Sequence, residues 1–287
     1  MNHMKKYFKV VLSVAALSLL GITISLMHQP ALSKEQALRM IYGNYDSKSQ
    51  SASWVNIPFP DKEDASSYFE KKKGIVRMIA LQAYRENGKD KFFILTKTIP
   101  TDIPFDCHAC LPLIGAAVFV RKHMHWKIEA QNQFIMYDGE YGELPEVKLI
   151  RVGKDKFGLS LEFGHIVIRD KELTLLIPYN GNIVAAHNEV IYFENFNDCE
   201  YAKTIPCAAY TANIDFASSK NPYYTLQIKR FGTVYNHKRE KAMPVDEEVE
   251  YQFVNGQYVQ AGQRGAAKAL YDDEREYFEQ YERSMHD

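Results

Sequence analysis

The chain is poor in the features that usually announce a function. Its 287 residues hold only four cysteines and two tryptophans. H-E-x-x-H, G-x-S-x-G, a Walker-type glycine loop and G-x-G-x-x-G are all missing. That removes the sequence grounds for a zincin, an α/β-hydrolase or a nucleotide-binding enzyme. Charge of one sign is missing too. With 35 Lys+Arg against 36 Asp+Glu, there is no broad basic footprint, and nucleic acid is excluded as a partner. The ordinary Gly (15) and Pro (11) counts and the 25% charged fraction exclude collagen-like, disordered and polytopic membrane chains. At about 100–200 residues per domain, the length allows one or two globular domains.

What is present begins with export. Lys5, Lys6 and Lys9 precede the uncharged run from Val10 to Leu26, the layout of a secretory signal. Small residues at Ala31 and Ser33 make a cut after Ser33 the expected processing step, with 1–33 as signal peptide. An uncleaved single anchor is the alternative, because this run sits at the short end of the spanning range. No Cys lies near the cut to carry a lipid. The short, Lys-led form points to a bacterial signal and a periplasmic or secreted chain, with no stable membrane insertion after cleavage. Once 1–33 are removed, the acid surplus concentrates at the other end. Between Gly265 and Asp287, seven acids (Asp272, Asp273, Glu274, Glu276, Glu279, Glu282 and Asp287) face three bases, Lys268, Arg275 and Arg283.

Hydrophobic periodicity predicts a mainly β fold of antiparallel sheets, a sandwich or irregular open barrel, with a short N-terminal helix and a C-terminal helix. Ser33 and Gln36 form a possible capping box, and Ala37, Leu38, Ile41 and Tyr42 make a helical stripe ending at Gly43. The polar, Ser-rich 46–53 stretch reads as linker, and a short helix is expected around 64–73. From Gly74 the period changes to two. Strands are expected over 75–84 and 91–98, joined at Asn87-Gly88, and over 116–121 and 126–130, joined across 122–125. Further strands are expected at 147–152, 156–163, 173–178, 190–196, 208–216, 223–231 and 249–254, the last turning back at Asn255-Gly256. No fixed-period repeat is strong enough to define a propeller. Residues 266–281 read as a helix with an acidic side, either packed on the sheet or docking a partner. The expected divisions are 1–33 signal, 34–73 helix and linker, 74–262 β-rich domain, and 263–287 acidic helix.

All four cysteines fall after the signal, in a compartment that oxidises thiols. Three pairings are possible. Cys199 and Cys207 bracket a short loop containing Pro206, and a bridge there is favoured. Cys107 and Cys110 would then pair with each other or remain a dithiol. Two functional uses compete with a plain staple. A redox role needs Cys107 at a helix N-terminus, whereas Leu111-Pro112 leads into a strand-like run. A metal role draws on Cys107, Cys110, His123 and His125, with His108 nearby, but the last spacing is one residue where zinc sites use three to five.

The run Asp106-Cys107-His108-Ala109-Cys110-x-Pro112-x-Ile114-Gly115-Ala116-Ala117-Val118-Phe119, with Trp126-Lys127 after it, resembles a group of uncharacterised secreted proteins of Gram-negative bacteria. The likeness extends through Lys156-Phe157-Gly158-Leu159 to Pro206-Cys207. It implies export and a cysteine framework, and transfers no activity.

Other polar groups suggest chemistry only weakly. His187-Asn188-Glu189 lacks the second His of a zincin and reads as a strand position, with a general base as the alternative. Asp138, Glu140, Glu143 and Glu146 could face Ca²⁺, but their spacing matches no EF-hand. Trp54 and Trp126, with 19 Tyr and 16 Phe, could line a groove for sugar or peptide, or fill a sheet core. The expected function is therefore a disulfide-stabilised periplasmic or secreted binding or envelope-associated protein. Its partner would be an unknown protein or small ligand, and no cofactor is implied. The alternative is a thiol-redox or metal-handling protein using Cys107-x-x-Cys110.

Overall fold

A computed structural model describes residues 31–58, 73–101, 112–137, 145–165, 170–195, 199, 206–236 and 241–265. One helix, α1 (Lys34–Tyr42), precedes two antiparallel sheets. Sheet one has five strands in chain order: β1 (Ala52–Val55), β2 (Lys73–Glu86), β3 (Lys89–Pro100), β4 (Leu113–Lys122) and β5 (His125–Tyr137). Sheet two has eight: β6 (Glu146–Gly153), β7 (Lys156–His165), β8 (Asp170–Tyr179), β9 (Asn182–Glu194), β10 (Ala209–Ala217), β11 (Thr225–Asn236), β12 (Lys241–Val254) and β13 (Gln257–Gly265). Within each sheet every strand pairs with its neighbours in sequence, and the chain changes sheet between β5 and β6. The expected 266–281 helix lies outside the described residues.

The turns explain this meander. Asn87-Gly88, Asn180-Gly181 and Asn255-Gly256 all have positive φ at both positions (50 and 72°, 49 and 78°, 50 and 95°). That is the backbone of a tight hairpin whose twist matches its strands. The middle one joins β8 to β9, so β9 starts at Asn182, well before the strand expected from Val190. The polar 46–53 stretch is also more ordered than a linker. Asp46 accepts hydrogen bonds from the Lys48 and Ser49 amides (3.0 and 3.3 Å), closing a turn through side-chain competition for backbone donors. The chain then enters β1, which pairs Ala52–Val55 with Val76–Lys73.

Sheet one is covered on one face by α1. Ser33 caps the helix, its hydroxyl accepting from the Gln36 amide at 3.1 Å, and Gly43 ends it in the left-handed region at φ 78°. Leu38 is fully buried among Ala52, Trp54, Val76 and Leu113, worth about 1.5–3 kcal/mol for a side chain of this size. Ala37 and Ile41 meet Ile94, Phe119 and Trp126. Both tryptophans thus belong to the helix–sheet core, the second of their two expected placements. Leu32 is 3% exposed in the same cluster. A cut after Ser33 would remove both Leu32 and the helix cap, whereas a cut before Leu32 would keep them.

The other face of sheet one packs on sheet two. Phe93, Leu95, Ala116, Val118 and Ala130 meet Leu159, Leu161, Phe163, Leu176 and Ile183. Two polar contacts fasten β5 to β9: the Gln131 amide donates to Gly181 O (3.2 Å), and Asn132 Nδ2 donates to Ile183 O (3.1 Å). Sheet two is curled. Its first strand reaches past its neighbours, so that Gly153 bridges Tyr223 and the Tyr224 amide donates to Val152 O at 2.8 Å. Glycine is needed there, since a Cβ at 153 would lie 2.2 Å from Pro222 O. The hollow of the curl is filled by Val152, Leu173, Leu175, Ile177, Leu226, Ile228 and Tyr258.

Candidate functional site

Two buried ionic clusters interrupt these cores. The first sits at one end of the sheet–sheet interface. Alternation along β3 puts Lys91 on the same face as Phe93 and Leu95, so its ammonium enters the interface beyond the apolar residues. The β2–β3 hairpin places Glu86 beside it, and β5 brings Glu129. Lys91 Nζ forms ion pairs with Glu86 Oε2 and, at 2.5 Å, with Glu129 Oε2. Burial works against the charge of Lys91, but the hydrogen bonds it donates to Glu129 and Glu86 outweigh it and hold the ammonium above its ordinary pKa. Lys156, at the start of β7, brings its Nζ to 4.0 Å from Glu86 Oε1.

A cavity of about 160 Å³ opens beside this cluster. Sheet one contributes Tyr84, Glu86, Lys91 and Glu129 to its wall; sheet two contributes Lys156, Phe157, Tyr179 and the Asn180-Gly181 turn, with Tyr223 alongside. Tyr84 and Phe157 pack at 5.2 Å between ring centroids, and Tyr223 is anchored by donating to Pro178 O at 3.2 Å. Burial, reinforced by Glu86 and Glu129, pushes the Tyr84 phenol up; burial and Glu86 do the same to Tyr223.

The second cluster lies inside the curl. Arg230 and Glu247 are direct cross-strand partners on β11 and β12. Arg230 grips Glu189 of β9 with two bonds (Nε to Oε1 2.7 Å, Nη2 to Oε2 2.6 Å) and Glu247 with a third (2.7 Å). Gln263 of β13 donates to the remaining Glu247 oxygen at 2.8 Å. His187 approaches Glu189 at 3.5 Å and packs on Tyr251 at 4.7 Å. Burial opposes the Glu189 charge, but His187 and Arg230 overcome it and hold the carboxyl below its ordinary value. Burial likewise opposes the charge of Arg230, and Glu189 and Glu247 more than restore it. Aromatic contacts link the clusters: Tyr223 stacks on Phe253 at 4.0 Å, Phe253 meets Tyr258 at 5.3 Å, and Tyr258 meets His187 at 6.5 Å.

The expected site residues fare differently. Glu189 is the anchor of an ion cluster, and the strand reading of 187–189 holds. Cys199 and Cys207 are bonded, with Cα atoms 5.1 Å apart, as favoured from their spacing. Cys107, His108 and Cys110 lie outside the described residues, as do Asp138, Glu140 and Glu143. His123 and His125 are exposed at the β4–β5 hairpin, His123 with φ 57°. Glu146, at the start of β6, pairs with Lys148 at 3.0 Å. Among the described residues no group of His, Cys, Asp and Glu is arranged to hold a metal ion. Sequence reasoning missed Lys91, Glu86, Glu129 and Arg230. A lysine at position 91, in phase with Phe93 and Leu95 on β3, was the one available signal.

Fold and site together define a two-sheet β protein with a polar, aromatic-walled cleft at the sheet–sheet junction. Comparison with family models, with curated proteins and with solved structures finds no match. No helix among the described residues is long and apolar enough to cross a membrane.

Proposed function

We propose that the chain is an exported, periplasmic or secreted binding protein of the bacterial envelope, acting without covalent chemistry, and that the sheet–sheet cleft is its ligand site. The observation that carries this reading is the composition and size of the cleft. Its charges are held in ion pairs at fixed positions and its walls are rings, a lining suited to orienting a bound group. At about 160 Å³ it falls below the roughly 300–1,000 Å³ of a drug-sized ligand site. It is close to the roughly 150 Å³ cavity that admits a single benzene. A small ligand, or one protruding group of a larger partner, fits that volume. The signal-like N-terminus and the Cys199–Cys207 bond support an oxidising compartment. The thiol-redox or metal alternative rests on Cys107, His108 and Cys110, outside the described residues, and exposed His123 and His125 do not favour it.

Photo-cross-linking in intact cells tests the reading. A photoreactive residue at Asp155, in the exposed turn beside the cleft, should yield a discrete adduct. The same residue at Val55, exposed on the β1 edge, should not. Identical labelling from both positions would remove the cleft as the site. A hydrolytic activity lost on one carboxylate or His substitution would overturn the non-enzymatic reading.

A further inference from the structure

The open chemistry of the cleft is an acceptor. Glu86 is only 8% exposed, and one of its oxygens is engaged by Lys91. The other, Oε1, accepts no hydrogen bond among the described residues; Lys156 Nζ faces it from 4.0 Å. Glu86 lines a cavity from which a donor can approach, and a mostly buried carboxylate gains from each donor it meets. Charge agrees with geometry. Lys91 offsets only one of the two carboxylates, Glu86 and Glu129, so a second positive charge balances the site. Lys156 supplies it loosely, with its side chain 42% exposed. The surrounding rings of Tyr84, Phe157, Tyr179 and Tyr223 are the surfaces on which cations rest favourably.

We infer that the cleft binds an organic cation the size of one side chain, an ammonium or guanidinium on a short aliphatic stem, with its head on Glu86 Oε1 in place of Lys156. The inference rests on the cleft being the ligand site and names the chemistry it selects. Lys156 is then an internal competitor, swung out when the ligand enters. The cation can be free, as a diamine, or carried by a Lys or Arg side chain of a peptide.

Ligand-observed NMR titration of the intact exported chain tests this with four probes: cadaverine, acetyl-Gly-Lys-Gly-amide, neutral pentan-1-ol and anionic glutarate. Wild type should bind one or both cationic probes and prefer them to the other two. Cadaverine binding points to a free amine, and binding of the peptide alone points to a partner's side chain. Lys156→Ala should tighten cation binding about fivefold by removing a half-exposed competing charge, while Phe157→Leu and Glu129→Gln should weaken it. Thermal midpoints of the variants separate these effects from unfolding. Equal binding of pentanol or glutarate, or weaker cation binding by Lys156→Ala, would overturn the inference and leave the cleft as a site of different selectivity. Absence of binding by all four probes, to wild type and to Lys156→Ala, would overturn it together with the cleft reading.

Discussion

The two ionic clusters share a formula, one cation between two carboxylates, and differ in how completely it is closed. Around Arg230 all four carboxylate oxygens have partners, two in a bidentate fork and one on Gln263. Glu189 and Glu247 are 8% and 2% exposed. Around Lys91, one carboxylate is 40% exposed along its side chain and the other turns to a cavity an oxygen faced only loosely, by Lys156 at 4.0 Å. Arginine suits the first because its planar fork matches carboxylates on two different strands; lysine suits the second because a point charge leaves neighbouring acceptors free. A closed network of this kind sets strand register, whereas an open one has chemistry to spare. Under the proposed function, Arg230 serves the architecture and Lys91 serves recognition.

The largest effect that would break the comparison is on stability. Arg230→Met leaves two carboxylates buried without a cation and should cost about 3–5 kcal/mol. Lys91→Met should cost clearly less, because Glu129 can regain water. Urea unfolding measures both, and equal losses would mean that the Lys91 cluster is as structural as the other. The next effect is in pH. The folded pKa of Glu189 is lowered, so its contribution is present above the unfolded value of about 4.3 and is lost as pH falls through the folded value. The folded pKa of Lys91 is raised, so its contribution is present below about 10.4 and is lost as pH rises through the folded value. Acid unfolding should be blunted in Glu189→Gln. Among alkaline effects, which the buried tyrosines share, the difference between wild type and Lys91→Met isolates the lysine. A smaller effect comes from Arg230→Lys, which keeps the charge and loses the fork, at roughly 1–2 kcal/mol. Lys91→Arg should cost less still if the cleft has room for the larger head.

Much of the sheet was legible before the structure, because alternation and Asn-Gly turns are local. Phe157, Leu159, Leu161 and Phe163 alternate cleanly, and Leu159, Leu161 and Phe163 all enter the sheet–sheet core. The first half of β12 was not legible, because an inward Glu247 between Val245 and Val249 breaks the apolar pattern. The Asn180-Gly181 turn was in plain view, yet the strand after it is broken by polar residues such as His187 and Glu189, whose burial depends on Arg230. Their interaction spans 41 positions, so only the curl of sheet two brings the charges together. The same holds for Lys91, paired within its hairpin to Glu86 but completed by β5. Local pattern identified strands; the sites arise from pairing between them.

The sequential pairing within each sheet has a consequence for how the chain reaches this state. Within each sheet every strand pairs with its sequence neighbour, so loop closure is short at most pairing steps and contact order stays low for a β protein. A chain delivered N-terminus first, whether from a ribosome or across a membrane, can zip strand by strand without waiting for its far end. The late event is docking one sheet on the other, through Gln131–Gly181 and Asn132–Ile183. The cleft is created by that step, so ligand competence should appear last and mark complete maturation.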